Sequence, residues 1–302
     1  MKITPLPEAG PRPRRVAIGE FDGVHLGHRE VIRGADTVLT FEPHPLAVIA
    51  PQAAPKLLTS LPVKADLVAT LGVEELVLIP FDESFAQRQA REFLDHVLVE
   101  GLNATHVSVG ENFRFGHRAA GDPELLRSDE RFETRVVPLV ECEGEIVSST
   151  HIRGLVVAGE VDVAARFLGA PFQMRRPVVS GDRRGRELGY PTANLVPDPA
   201  LVIPGHGVYA CLAYPEGAEV PVAAAVNVGV RPMFDTGRGV LIEAYLIDFE
   251  ENLYDTDLRL DYLRRLRGER TFATIEALVD QMARDVEEAR AVANAFATVP
   301  RP

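Results

Sequence analysis

Two histidines near the start of the chain have the spacing needed to act on one ligand group. His25 and His28 flank Gly27 in the stretch FDGVHLGH, directly after the apolar run VAIG. A strand-to-helix turn of this kind offers free backbone N–H groups and the positive end of a helix dipole to an anion. Residues three apart at a helix start project to one side, so both imidazoles could stabilise charge on a phosphate group. The alternative is one exposed histidine and one that only caps the helix.

A second candidate anion site follows the last apolar run of the same half of the chain. The stretch SSTHIR places Ser149 and Thr150 at the start of a predicted helix and Arg153 one turn further on. Hydroxyls, helix N–H groups and a guanidinium can all donate to phosphate oxygens. Serine and threonine are also ordinary N-cap residues, and this motif alone favours that structural interpretation.

A glycine- and arginine-rich stretch in the second half, GDRRGRELGYPTANL, has the composition of a loop that approaches phosphates. It contains Gly181, Arg184 and Gly185, and it ends with Thr192 and Asn194, whose uncharged oxygens suit a hard cation. A plain surface turn is the alternative, because glycine, aspartate and arginine are common in turns.

A single carboxylate interrupts an apolar strand face further along. By strand alternation Glu243 in VLIEAYLIDF shares a face with Leu241, Tyr245 and Ile247. A charged group on such a face is costly unless the chemistry requires it, which makes Glu243 a candidate catalytic residue.

The elements that must position these residues fall into two groups. As far as about Phe172, short apolar runs alternate with amphipathic helical patterns, which predicts a parallel sheet covered on both faces. Such sheets bind ligands at the carboxyl ends of their strands. The predicted strands are VAIGEF, TVLTFEP, ELVLIPF, THVSVGENF and RVVPLV.

From about Gln173 the strands follow one another without helices between them, which predicts an antiparallel barrel or sandwich. The last segment, Thr274 to Ala297, has apolar residues at helical spacing and predicts one closing helix. We therefore expect two domains, 1–172 and 173–302.

Bulk composition limits the classes of function. The 302 residues carry a net charge of −12, which argues against a general nucleic-acid partner. No apolar run is long enough to span a membrane, and the N-terminal stretch lacks the apolar core of a signal peptide, so we expect a cytoplasmic protein. Lysine occurs only at Lys2, Lys56 and Lys64, so the second half must bind phosphate without a P-loop lysine.

The motifs in their order along the chain resemble a known family. FDGVHLGH, TFEPHP, GENFRFG and SSTHIR resemble the FMN adenylyltransferase module of the bacterial bifunctional riboflavin kinase/FAD synthetases. PTAN with a downstream glutamate, together with AAVNVGVRPMF, resembles the riboflavin kinase module. The resemblance implies a Rossmann-like α/β nucleotidyltransferase domain followed by an antiparallel β-barrel kinase domain with a closing α-helix.

The resemblance also implies roles for individual residues in the first module. His25 and His28 would be catalytic, while Asn112 and Phe113 would contact the flavin. ATP and its phosphates would be bound by a larger set, Gly19, Phe21, Asp22, Gly23, Gly27, Ser149, Thr150 and Arg153.

In the second module, the resemblance implies that Thr192 and Asn194 hold Mg²⁺. Glu243 would take the proton from the riboflavin hydroxyl, and Gly181, Arg184 and Gly185 would cover the ATP phosphates. The substrates would be riboflavin, FMN and ATP.

Two departures from the family pattern lie in the first module. Glu20 brings a carboxylate beside the phosphate site, and the crossover from His28 to the next strand is short, with room for about two helical turns. A riboflavin kinase with a degraded adenylyltransferase domain, and a flavin-binding regulator without activity, are therefore the alternatives to a bifunctional enzyme.

Overall fold

The computed structural model describes residues 1–180, 189–230 and 239–298. Contacts between residues divide the chain into two compact units, Met1–Ser149 and Thr150–Pro302. This division precedes the boundary expected from the sequence, because two helices between residues 149 and 168 group with the second unit. The domain limits 1–172 and 173–302 stay a prediction.

A six-stranded parallel sheet forms the centre of the first unit, in the order β1-β4-β3-β2-β5-β6. Its strands are β1 (Lys2–Pro5), β2 (Arg14–Ile18), β3 (Thr37–Glu42), β4 (Glu75–Pro80), β5 (Ala104–Gly110) and β6 (Glu133–Val137). The five apolar runs named above are β2 to β6, so the predicted sheet is confirmed. The edge strand β1 was not predicted, because four residues carry too little periodicity. A small hairpin of β7 (Glu141–Cys142) and β8 (Glu145–Ile146) follows.

Short helices connect the strands of this sheet. They are α1 (Leu26–Ile32), α2 (Pro45–Ile49), α3 (Leu61–Ala69), α4 (Glu83–Ala86), α5 (Ala90–Glu92), a π-helical continuation of α5 (Phe93–Gly101) and α6 (Pro123–Arg127). Single turns of 3₁₀-helix lie at Leu6–Glu8, Pro51–Ala53 and His117–Ala119.

The strands are buried on both faces, which explains their near-continuous apolar sequences. Ile18 and Leu39 belong to the core under the π-helical segment, whereas the neighbouring Ala17 and Val38 belong to the core under α1 and α3. Successive side chains point to opposite faces, so each strand must be apolar on both.

The short crossover between β2 and β3 closes with a helix of seven residues, α1. Although it has only two turns, α1 buries Val31 and Ile32 in the same core as Ala17. The turn that precedes it is therefore fixed by packing.

Two helices lead into the second unit, α7 (Ser149–Ala158) and α8 (Val161–Leu168). The sequence predicted a helix over this stretch but gave no break. The break comes at Gly159, whose φ of 83° ends the first helix, and Glu160 precedes the second. α8 packs against two strands of the barrel described next.

The second unit is a closed antiparallel barrel in the order β10-β13-β12-β11-β14-β9. Its strands are β9 (Phe172–Val179), β10 (Ala193–Leu195), β11 (Gly207–Pro215), β12 (Val222–Val230), β13 (Val240–Leu246) and β14 (Asp257–Arg267). Closure decides between the two predicted all-β architectures in favour of the barrel. β10 contains the end of the PTAN stretch, which the sequence did not distinguish from a loop.

Alternation along the strands separates a packed interior from an outer face. Ile242, Ala244 and Leu246 of β13 are buried, and their cross-strand partners on β12 are buried apolar residues too. The predicted closing helix is α9 (Ile275–Ala297), with Thr274 as its N-cap. α9 covers part of the outer face, where its Ala289 packs with Ala210.

An ion pair attaches α9 to the barrel. The Arg267 guanidinium donates to both carboxylate oxygens of Asp285, at 2.7–3.0 Å, and Gln281 donates to the same carboxylate. Both charged groups are largely buried, so the pair is a fixed contact. Within the described ranges, no helix is long and apolar enough to cross a membrane.

Candidate active sites

The first candidate site is the turn between β2 and α1, at the carboxyl end of the sheet. Phe21 has a φ of 49° and Gly23 a φ of 87°, so the backbone takes left-handed conformations here. The Phe21 ring is buried, and a Cβ on Gly19 would lie 3.1 Å from it. A side chain at position 19 would therefore crowd the Phe21 ring, which anchors the turn.

The two histidines form one stacked pair at the start of α1. His25 is the N-cap residue, and its Nδ1 accepts a hydrogen bond from the His28 backbone N–H at 3.3 Å. The imidazole rings stack with their centroids 3.5 Å apart. A Cβ on Gly27 would lie 3.3 Å from the His25 ring, which is closer than ordinary contact. A larger residue at position 27 would therefore crowd the His25 imidazole.

The electrostatic state of His28 is set by its surroundings. Burial lowers the pKa of His28 well below its ordinary value, and the charges of His25 and Lys64 lower it further. Its Nδ1 atom is buried without a hydrogen-bond partner among the described residues. The imidazole is therefore neutral near pH 7.

Asp22 of the FDGVHLGH motif fixes the turn by hydrogen bonds to a distant segment. The Asp22 carboxylate accepts hydrogen bonds from the backbone N–H groups of Leu58 and Thr59, at 2.8 and 3.1 Å. The Ser149 hydroxyl donates to the Asp22 carbonyl at 3.0 Å. The structure thus brings the first residue of the second anion motif to the first turn.

A buried lysine lies under the same turn. The Lys64 ammonium on α3 donates to the Glu20 carbonyl oxygen at 2.8 Å, and the Thr40 hydroxyl donates to the same oxygen at 3.2 Å. Burial raises the pKa of the Glu20 carboxyl from 4.5 to about 8, an effect that Lys64 opposes and that Asp22 and Glu42 strengthen. The expected negative charge of Glu20 is therefore largely absent at neutral pH.

The remaining residues predicted for the first site lie on two other segments. Thr150 and Arg153 are in the first turn of α7, where the guanidinium donates to the Thr150 hydroxyl at 3.3 Å. Asn112 is exposed in the turn after β5, and the half-buried Phe113 ring stacks on Phe115. The ligand roles of these residues stay predictions.

The second candidate site is a row of polar side chains on the outer face of the barrel. In the register, Glu243 on β13 lies directly between Asn194 on β10 and Asn227 on β12. Asn227 donates through Nδ2 to the Glu243 carboxylate at 3.5 Å, the limit of a hydrogen bond. Asn194 is buried, whereas Glu243 is half-buried and accessible from outside.

Thr192 lies at the entry to this row. The Asn194 amide donates to the Thr192 carbonyl at 3.3 Å, which orients the two predicted metal ligands together. The Tyr190 ring meets Tyr245 edge to face, with centroids 5.2 Å apart. Gly181, Arg184 and Gly185 lie outside the described residues.

The sequence did not single out two side chains that the structure brings to these sites, Lys64 and Asn227. Asn227 lies within the quoted AAVNVGV, and strand alternation could have placed it on a face, but only the register puts it beside Glu243. Nothing in the pattern of α3 marks Lys64, because a lysine on a helix is ordinarily exposed.

Comparison with known proteins agrees with this two-site arrangement. The model of the FAD synthetase family matches residues 8–151, and that of the riboflavin kinase family matches residues 168–293. A Streptococcus pneumoniae crystal structure described as a macrolide-efflux protein shares the fold with a TM-score of 0.86 and 31% identity. That match covers 96% of this chain and 99% of the other.

Relatives named bifunctional riboflavin kinase/FMN adenylyltransferase align over nearly the whole chain. The Bacillus subtilis protein is 35% identical over 91% of this chain and 90% of its own length, and the Escherichia coli K12 protein is 35% identical over 91% of both. The Listeria monocytogenes protein is 33% identical over the same shares as the Escherichia coli protein. The chain belongs to the family of bifunctional riboflavin kinase/FMN adenylyltransferases.

Proposed function

We infer that the protein is a bifunctional enzyme of FAD biosynthesis. It phosphorylates riboflavin to FMN with ATP and then transfers the adenylyl group of a second ATP to FMN. The carrying observation is that each unit has its own cluster of reactive groups, the stacked histidines on the sheet and the Asn194–Glu243–Asn227 row on the barrel. A single-activity kinase or a flavin-binding regulator needs no stacked histidine pair.

Adenylyl transfer is assigned to the first unit. A phosphate oxygen of FMN attacks the α-phosphorus of ATP, the bond to the β-phosphate breaks, and pyrophosphate leaves with the electron pair. The imidazoles of His25 and His28 donate hydrogen bonds as charge grows on the leaving group. The Gly19–Gly23 turn and Gly27, with Ser149, Thr150 and Arg153, hold the phosphates, while Asn112 and Phe113 orient the flavin.

In this assignment Asp22 shapes the anion site and Phe21 anchors it. The carboxylate of Asp22 is occupied by the Leu58 and Thr59 amides, so it fixes the conformation of the turn.

Riboflavin phosphorylation is assigned to the barrel. Glu243 accepts the proton of the riboflavin 5′-hydroxyl as its oxygen attacks the γ-phosphorus, and ADP leaves. Asn194 and Asn227 on either side restrict the carboxylate to one place. Gly181, Arg184 and Gly185 would cover the phosphates of ATP.

Thr192 and Asn194 fit a magnesium ion by the chemistry of their donors. A hydroxyl and an amide oxygen are hard ligands, and the Glu243 carboxylate lies in the next strand of the register. We propose that they hold Mg²⁺, which supplies charge neutralisation for the ATP phosphates. Within the described ranges, no group of three or more histidine, cysteine or acidic side chains could hold a metal.

The proposed setting is the cytoplasm, with riboflavin, FMN and ATP as small-molecule substrates and with no nucleic-acid or membrane partner. The net charge of −12 supports the absence of a polyanionic partner.

Incubation of the protein with riboflavin, ATP and Mg²⁺, followed by chromatography, tests the proposal. We expect FMN and then FAD. FMN alone would mean that the first unit lacks activity, and bound but unchanged riboflavin would mean that the protein only binds flavin.

A further inference from the structure

Lys64 is a buried charge with no role in the reactions assigned above. Its side chain extends from α3 to the underside of the first turn and is about 5% exposed. Burying an ammonium is costly unless its charge or its hydrogen bonds are needed. The contacts of Lys64 show whether its charge or its hydrogen bond is the reason for its burial.

A hydrogen bond alone does not account for this lysine. The Glu20 carbonyl that accepts from Lys64 at 2.8 Å also accepts from the Thr40 hydroxyl at 3.2 Å. A neutral side chain of the same length would fill the space at a lower desolvation cost, with Thr40 still bound to the carbonyl. What Lys64 adds is a positive charge.

The charged groups around Lys64 come from three elements. Burial lowers the pKa of Lys64. Asp22 in the turn after β2 and Glu42 at the end of β3 favour its charged form, and Glu20 of the same turn does so when its own carboxyl is ionised. Burial lowers the pKa of His28 on α1 most, and the charges of His25 and Lys64 lower it further. Lys64 therefore acts electrostatically on both the turn and His28.

We propose that Lys64 is a positioning residue for adenylyl transfer: its ammonium, bonded to the Glu20 carbonyl under the Gly19–Gly23 turn, makes the phosphate site positive. In a chain with a net charge of −12, such a local cation offsets the repulsion of an anionic substrate. The claim rests on the proposed adenylylation of FMN by the first unit.

Three variants of the full-length protein test the proposal. Lys64→Gln removes the charge but keeps a donor for the Glu20 carbonyl, and Lys64→Met removes both. Thr40→Val removes the second donor and keeps the charge. FAD formation from added FMN and ATP is measured with FMN formation from riboflavin in the same samples, while circular dichroism checks the fold.

The loss of the Lys64 charge should reduce the rate of FAD formation by roughly tenfold or more in both Lys64 variants. Thr40→Val and the exposed Lys2→Met control should stay within about threefold of the parent. FMN formation should not change in any variant. A folded Lys64 variant that makes FAD at the parental rate would overturn the proposal, as would a Thr40→Val variant as slow as Lys64→Gln.

Histidine titration by NMR gives a readout that does not depend on activity. In the parent, the His28 ring should stay neutral to low pH, and in both Lys64 variants it should titrate at higher pH because the neighbouring cation is gone. An unchanged His28 titration in a folded variant would refute the electrostatic role. If the parent makes no FAD, the proposed function fails, and the role of Lys64 is judged on this titration.

Discussion

The two stacked imidazoles at the first turn differ in their hydrogen bonding. His25 uses Nδ1 to cap α1, which holds its ring in place, and His28 stacks on that ring. Because His28 is neutral near pH 7, its proposed role toward phosphate is that of a hydrogen-bond donor. Preorganised donors of this kind stabilise a leaving group without reorganisation during the reaction.

Replacing His28 by alanine should lower the rate of FAD formation by roughly 10²–10³, the scale of losing one preorganised donor. The measurement is FAD produced from FMN and ATP. FMN formation should be unchanged, and His96→Ala, which removes an exposed histidine of the same unit, is the matched control. A parental rate of FAD formation would leave His28 with a structural role only.

Replacing Glu243 by glutamine should reduce FMN formation by roughly 10²–10⁴, because glutamine keeps the shape of the side chain but cannot accept the hydroxyl proton. ATP should still bind, since the proposed Mg²⁺ ligands Thr192 and Asn194 are unchanged. FAD made from added FMN should continue at the parental rate.

Glu250→Gln, at an exposed position beyond the same strand, is the control for the Glu243 change. If Glu243→Gln phosphorylates riboflavin at nearly the parental rate, another group takes the proton.

Glu20 should give the first unit a pH dependence. Its carboxyl has a pKa raised from 4.5 to about 8, so the neutral form stabilises the fold fully below pH 4.5, and that stabilisation is lost as the pH rises through 8. Above pH 8 the carboxylate should also repel the anionic reactants. We expect FAD formation to fall between pH 7 and 9, and Glu20→Gln should flatten the fall.

Rates of FMN formation in the same samples correct the Glu20 experiment for general effects of pH. An alkaline fall of the same size in Glu20→Gln would exclude Glu20 as its cause.

Single candidate residues could be predicted from the sequence where their type is unusual for their position in a helix or strand. His25, His28 and Glu243 stand out because imidazoles at a helix start and a carboxylate on an apolar face are rare. Asp22 could be found as part of a motif, but its hydrogen bonds to Leu58 and Thr59 depend on a contact between distant segments, which no local pattern encodes.

At the scale of elements, a buried ion pair holds the amino-terminal ends of the strands together. Arg14 on β2 donates to the Glu75 carboxylate of β4 at 3.0 Å, and Thr4 of β1 donates to the same carboxylate at 2.8 Å. Arg14 also donates to the carbonyls of Gly10 and Leu102. Although burial acts in the opposite sense, these hydrogen bonds lower the pKa of Glu75.

Removing Arg14 leaves the buried Glu75 carboxylate with only Thr4 and the more exposed Arg12 as close partners, so Arg14→Met should destabilise the first unit by about 3 kcal/mol. Chemical denaturation followed by a probe in the first unit measures this loss. The neighbouring Arg15→Met, at an exposed position, should cost less than about 1 kcal/mol. Equal stability of the two variants would contradict a structural role for the pair.

Strands and helices with several periodic residues were predictable, and the shortest ones were not. β11 agrees with its long apolar run, and α9 agrees with its apolar residues at helical spacing. β1 has four residues and β10 has three, so both depend on pairing with a distant strand. The break at Gly159 was missed because the apolar spacing continues across it.

For the whole molecule, the boundary between the units has a testable consequence. α7 bonds to the loop before β11 through the Val156 carbonyl, which accepts from the Gly205 N–H at 3.1 Å. A Cβ on Gly159 would lie 2.7 Å from the Tyr209 hydroxyl, so the chain between α7 and α8 passes close to the barrel. The barrel is therefore packed against residues that precede the expected boundary.

A fragment of residues 150–302 should therefore unfold at a higher temperature than a fragment of residues 173–302. Both fragments contain the Asn194–Glu243–Asn227 row. Thermal unfolding and FMN formation measure the difference. Equal unfolding temperatures would favour the sequence-based limit at 172/173. Composition and periodicity could not place this limit, since helices α7 and α8 look like a continuation of the α/β pattern.

The Asn194–Glu243–Asn227 row proposed for the kinase reaction lies on the outside of the barrel, and side chains such as Ile242, Ala244 and Tyr262 fill its inside. For protein engineering, this means that the residues that pack the interior and the residues proposed to bind substrate are different sets. The interior could be redesigned for heat tolerance by volume-conserving exchanges, and the residues that meet the substrate would keep both their identity and their backbone support. A thermostable flavin-phosphorylating module could then be built from this barrel with its catalytic face unaltered.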